Sequence, residues 1–160
     1  MLPAIAFSAI GQQDVKTNPL QMALVAAAIA NGGAQMTPRL VREIRDPSGR
    51  VIRSFSPAVW GRPISPQTAA ELTAMMVNVV LHGTGTAAQI PGVQVAGKTG
   101  TAETASGNPH AWFVCFAPAA DPQIVVAVVV LNGGNIGSEA TGGHVAAPIA
   151  RAVIEAALGA

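Results

Sequence analysis

The run IVVAVVVL at residues 124–131 constrains the fold more than any other stretch of the chain. It is continuously apolar and mostly β-branched, the pattern of a strand covered on both faces. A chain containing it has to bring other layers to both sides of a sheet. Two more β patterns lie just upstream. VQVAGKTGTAE at 93–103 alternates, and AWFVCFAP at 111–118 follows a loop of Ser, Gly, Asn and Pro. Asp121-Pro122 separates the second pattern from the third. Connections this short join antiparallel neighbours.

Helical patterns flank these strands. In TNPLQMALVAAAIANGG at 17–33, Thr17 or Asn18 caps, Pro19 suits the first turn and Asn31-Gly32-Gly33 stops the helix. It is apolar on nearly all sides, so a buried helix is expected. RLVREIRDPSGRVIRSF at 39–55 reads as a hairpin about Asp46-Pro47-Ser48-Gly49, its arginines placing one face in solvent. Ser65-Pro66 opens a second helix with Leu72, Met75, Met76 and Val79 along one side, the Met pair as core filler, and Gly83 as its stop. HVAAPIARAVIEAAL closes the chain as a helix with Val145, Ile149 and Val153 on one face. The expected class is α+β, an antiparallel sheet covered by helices.

Composition removes several function classes. Half the residues are hydrophobic and 11% are charged, which is material for a core and not for disorder. A formal charge of +1 points to no nucleic-acid or anionic-membrane partner, and 4% aromatics leave no stacking platform for single strands. MLPAIAFSAI has no basic flank and does not read as a signal peptide. The apolar runs fall short of the roughly 20 residues needed to span a bilayer, so the chain is expected to be soluble or part of a soluble assembly. Cys115, the single cysteine, cannot form an internal disulfide and sits in an apolar run, as a buried core thiol does.

Lysine occurs only at positions 16 and 98, and Lys98 lies in the glycine-rich stretch GVQVAGKTGTAET at 92–104. Read from Gly92 this is G-x-x-x-x-G-K-T, a P-loop spacing. A P-loop needs a helix beginning at the lysine, to aim amide groups and a dipole at phosphate. Thr99-Gly100-Thr101 and the later Gly107 and Pro109 do not start a helical repeat. Read from Lys98 the stretch is K-T-G-T on a strand. Alternation places Thr99 and Thr101 on one face of that strand, with the lysine and hydroxyls expected at a cleft. A peptide can pair with such an edge, an ammonium and two hydroxyls can hold a carboxylate, and the Thr101 N–H can donate to an oxyanion, a contact typically worth about 3 kcal/mol.

The blocks IGQQDVKTNPLQMALVAAAIANGG, HGTGTAAQIPGVQVAGKTGTAE, HAWFVCFAP and GGHVAAPIARAVIEAAL resemble, in order and spacing, the C-terminal part of a penicillin-binding protein transpeptidase domain. The resemblance is to class B enzymes of the actinobacterial PbpA type and runs from about residue 10 to 158. It implies the penicillin-binding/β-lactamase-like fold, a five-stranded antiparallel sheet against helices with K-T-G on an edge strand. It implies acyl transfer from stem peptides ending in D-Ala-D-Ala, with β-lactams acylating the same serine and no cofactor. Carried over by position, Lys98, Thr99, Gly100 and Thr101 bind substrate, with Lys98 and the Thr101 N–H serving catalysis. Residues 1–160 are then the C-terminal part of one domain, at the extracytoplasmic face of the cell membrane, with any anchor outside this chain.

The family's other two motifs are S-x-x-K, with the nucleophile, and S-x-N. No S-x-x-K exists in the sequence, and Ser106-Gly107-Asn108 spells S-x-N on the wrong side of K-T-G, as a loop turn. The chain alone is therefore expected to be inactive and to need the complementing N-terminal part of the domain. A noncatalytic or β-lactam-sensing module is the alternative, and a nucleotide-binding P-loop domain the remote one. His82, His110 and His144 lack metal-ligand spacing and read as surface or capping residues. Glu103 reads as a solvated carboxylate, and Thr84-Gly85-Thr86 as a loop that either supports the cleft or touches substrate. Trp112 reads as core or as cleft lining.

Overall fold

The computed structural model describes residues 2–12, 15–105 and 107–159. In chain order the elements are α1 (Leu2–Ala9), α2 (Pro19–Ala30), β1 (Gln35–Met36), β2 (Glu43–Arg45), β3 (Val51–Ser54), β4 (Val59–Gly61) and α3 (Pro66–His82). There follow β5 (Ala96–Ala102), β6 (His110–Ala117), β7 (Ile124–Val130) and α4 (Ala147–Leu158). A 3-10 turn, Thr86–Ala88, follows α3, and a π turn, Gly142–Ala146, leads into α4.

Local chemistry sets the helix ends. The Asn18 side chain accepts from the Gln21 N–H while the Gln21 side chain accepts from the Asn18 N–H, a reciprocal capping box at α2. Ser65 caps α3 by accepting from the Thr68 N–H, and Gly83 ends that helix.

The main sheet is antiparallel, in the order β5-β6-β7, with Thr99 opposite Phe113, Gly100 opposite Trp112 and Cys115 opposite Val126. Strand alternation divides it into two faces. On one, Val95, Phe113, Cys115, Ala117 and Val126 form a core with Val80 of α3 and with Ala147, Ala150 and Ile154 of α4. On the other, Ala96 and Phe116 pack with Met76 of α3 and with Ile29 and Ala30 of α2. β7 meets α2 and α4, so both its faces are covered as expected. Val126 alone of its residues is buried, and the outer edge of β7 pairs with no strand among the described residues.

Several faces differ from the sequence-based expectation. The buried side of α4 is Ala147, Ala150 and Ile154, while Ile149 and Val153 are 47% and 43% exposed. Phe113, fully buried on the α4 face, fills the sheet's surface there, so α4 approaches with Ala147, Ala150 and Ile154 and turns Ile149 and Val153 outward. Met76 is core but Met75 is 56% exposed, one helical step away. α2 is half-covered: Ala26 and Ala28 are buried, whereas Leu20 and Val25 are exposed. The β2–β3 hairpin forms as read, with Asp46 accepting from the Ser48 and Arg50 N–H groups in its turn. Every residue of β3 is exposed, so both its faces meet solvent. The small β1–β4 pairing, Gln35 opposite Gly61, has too few residues for a period-2 pattern.

Candidate active site at the edge strand

β5 pairs with β6 on one side and with no other strand among the described residues. α3 packs along its first half, where Ala96 and Gly97 are buried. From Lys98 onward the strand opens. Lys98 and Thr101 are exposed, and Thr99 and Gly100 are half-buried. The K-T-G-T segment therefore occupies the accessible half of an edge strand. This geometry excludes the P-loop reading, since Lys98 lies within a strand and no helix begins there.

Gly97, Thr99 and Thr101 share the α4 side of the sheet, and Ala96, Lys98 and Gly100 the α2 side. The hydroxyls and the ammonium thus leave β5 from opposite faces and meet only at its edge. The Lys98 Nζ donates to the Thr99 carbonyl at 2.7 Å, lying along its own strand. The Thr99 and Thr84 hydroxyls are 2.6 Å apart. The Thr101 carbonyl accepts from the Gln12 amide at 3.5 Å.

Close backbone packing holds this strand in place. A β-carbon on Gly142 would collide with the Trp112 carbonyl and stand 2.8 Å from the Gly100 carbonyl oxygen. One on Gly143 would collide with the Thr84 carbonyl. The Gly142-Gly143 turn therefore lies directly on β5, β6 and the loop after α3. Trp112, opposite Gly100, is half-buried beside the motif. An edge strand with a cation on one side and two hydroxyls on the other suits an extended peptide ending in a carboxylate.

The remaining candidates fall outside this cluster. His110 Nδ1 accepts from the Asn132 N–H at 3.0 Å, His82 ends α3, and the His144 N–H donates to Thr141 Oγ1 at 3.3 Å. No group of metal-ligating side chains occurs among the described residues. Cys115 is fully buried, and burial pushes its thiol up to about 12. Glu103 is exposed beyond the end of β5 and makes no ion pair with Lys98. Ser106 of the S-x-N match lies outside the described residues; Asn108 contributes its carbonyl to Thr104 Oγ1 at 2.8 Å in the same loop. Sequence reasoning missed the Thr84–Thr99 contact and the Gly142-Gly143 approach. The glycines flanking Thr84 and the Gly-Gly pair before α4 were the available signals.

The family model described as "Penicillin binding protein transpeptidase domain" matches residues 3–155. The peptidoglycan D,D-transpeptidase PbpA of Mycolicibacterium smegmatis is 49% identical over 159 residues, which is 97% of this chain and 32% of that protein. Stage V sporulation protein D of Bacillus subtilis is 37% identical over 151 residues, 90% of this chain and 23% of that protein. The ceftriaxone acyl-enzyme complex of penicillin-binding protein A from M. tuberculosis superposes with a TM-score of 0.87 at 48% identity, covering 96% of this chain and 35% of that one. The chain spans about a third of the length of the PbpA relatives it matches.

Proposed function

The chain belongs to the penicillin-binding protein transpeptidase domain family, and from that premise we propose that it supplies the K-T-G-T edge of a peptidoglycan D,D-transpeptidase active site. The observation that carries this reading is the position of Lys98–Thr101 on the open half of β5, with no strand on its outer side among the described residues. A stem peptide ending in D-Ala-D-Ala lies along that edge as an added strand. Thr99 and Thr101 hold its terminal carboxylate, and Lys98 adds positive charge. The Thr101 N–H donates to the oxygen of the scissile carbonyl as it gains charge.

The covalent step needs a serine. Its oxygen attacks the penultimate D-alanine carbonyl and gives its proton to a base. The C–N bond breaks, and D-alanine leaves as the amine that takes up that proton. An amine of a neighbouring stem then displaces the serine ester. No S-x-x-K occurs in these 160 residues, so the serine and its lysine belong to the complementing N-terminal part of the same domain. These residues alone are inactive. The parent protein works at the extracytoplasmic face of the membrane through an anchor outside the chain, and no helix among the described residues is long and apolar enough to cross a bilayer. Its partners are stem peptides and β-lactams, not nucleic acid, and it uses no cofactor.

Intact-mass measurement after incubation with benzylpenicillin tests this reading. The parent protein gains one penicillin mass on a serine outside these residues, and the 160-residue chain gains none. An adduct on the chain alone overturns the assignment of the nucleophile. A parent that never reacts overturns the catalytic reading.

A further inference from the structure

We propose that Thr84 is a positioning residue for substrate carboxylate binding: it donates its hydroxyl proton to Thr99 and thereby leaves the Thr99 proton for the carboxylate. The inference rests on the proposed transpeptidase reading and adds to it a residue outside the K-T-G-T motif.

The Thr84 and Thr99 oxygens are 2.6 Å apart, so a single proton lies between them. Each hydroxyl carries one proton and can also accept. A carboxylate has no proton to give. If Thr99 donates to it, Thr99 can satisfy Thr84 only by accepting, and the chain of donation runs Thr84 to Thr99 to carboxylate. Thr84 then has no second proton with which to bind the carboxylate itself. That separates a positioning role from direct substrate contact.

Thr84 is also held where this relay needs it. The Gly83 and Gly85 N–H groups both donate to the Val79 carbonyl, at 3.1 and 3.0 Å, folding the loop back on the end of α3. A β-carbon on Gly85 would stand 3.2 Å from the Phe113 ring, so the loop is seated on the core. From the other side, Gly143 leaves no room for a side chain against the Thr84 carbonyl. Three elements thus converge on one exposed hydroxyl whose partner is the motif threonine.

The test uses the parent protein and its second-order acylation rate with benzylpenicillin and with benzylpenicillin methyl ester. Thr84→Val keeps the shape and removes the proton. It slows the acid by about three- to tenfold, the worth of one hydrogen bond, and leaves the ester within about twofold. Thr84→Ser restores the acid rate. In a Thr99→Val background, Thr84→Val has no further effect, as expected of two residues acting in one chain. The acid-to-ester ratio is read within each protein, so a loss of folded fraction does not alter it. Equal loss on acid and ester, no loss on either, or additive loss with Thr99→Val overturns the proposal. A wild-type parent that forms no adduct with either compound overturns the transpeptidase reading itself, a result distinct from any pattern among the variants.

Discussion

The ring of Phe113 lies where a side chain on Gly97 would stand: a β-carbon there would come within 2.5 Å of Phe113 Cζ and 3.2 Å of Cys115 Cβ. Phe113 is fully buried, and Gly97 directly precedes Lys98, so the core fixes the start of the motif strand. Gly97→Ala forces the ring or the strand to move. Overpacking of this kind costs about 1–3 kcal/mol. Thermal melting of the parent protein should fall accordingly. Phe113→Leu in the same protein should recover part of the loss by vacating the ring edge. No recovery would mean that the strain lies elsewhere.

Gly142→Ala should be worse. Its β-carbon would meet the Trp112 carbonyl and both the Gly100 nitrogen and oxygen, at 3.0 and 2.8 Å. All three are backbone atoms, which no rotamer change can move. The π turn has to lift from the sheet, and the expected cost is about 3 kcal/mol or more. Because the displaced contacts lie on Gly100, acylation by penicillin should slow even in protein that stays folded. A variant with normal melting and a normal acylation rate would show that the turn is not held against β5.

These two glycines also mark what was legible beforehand. The caps at Thr17 or Asn18, at Ser65 and at Gly83 and the three strands were readable because each depends on chemistry within a few residues, and the structure decides for Asn18. K-T-G-T was readable as a strand for the same reason, while its place at the sheet edge came from the family resemblance. Contacts set by distant partners were not. Ala150 and Ile149 are adjacent in sequence, and only the filled surface around Phe113 decides that the alanine faces inward. The Thr84–Thr99 pair joins a loop to a strand 15 residues away; the glycines flanking Thr84 mark the loop but do not name its partner. The lysine was expected to face the cleft with the hydroxyls, yet the same alternation that aligned Thr99 with Thr101 sends Lys98 to the other face.

Cys115 offers a pH-dependent readout of the core. Burial raises its thiol from 9.0 to about 12. A raised pKa means that the folded state holds the proton more tightly than the unfolded one. The associated stability is fully present below 9.0 and is lost as pH rises toward about 12. Thiol labelling of the parent protein at pH 8 should be slow and should track unfolding in urea. Cys115→Ala should flatten the decline in stability between pH 9 and 11. Rapid labelling without denaturant would contradict the burial.

The open edge of β7 bears on the chain as a physical object. Ile124–Val130 is apolar throughout, and one of its edges meets no strand among the described residues. Leu20 and Val25 of α2, which packs against β7, are exposed as well. An unpaired apolar edge recruits other strands. The isolated 160-residue chain should therefore self-associate, its sedimentation coefficient rising with concentration. Adding the N-terminal part of the transpeptidase domain should convert it to a 1:1 complex with one cooperative unfolding transition. A monomer that unfolds cooperatively by itself would mean that these residues cover their own sheet, and the complementing segment would no longer be needed for folding.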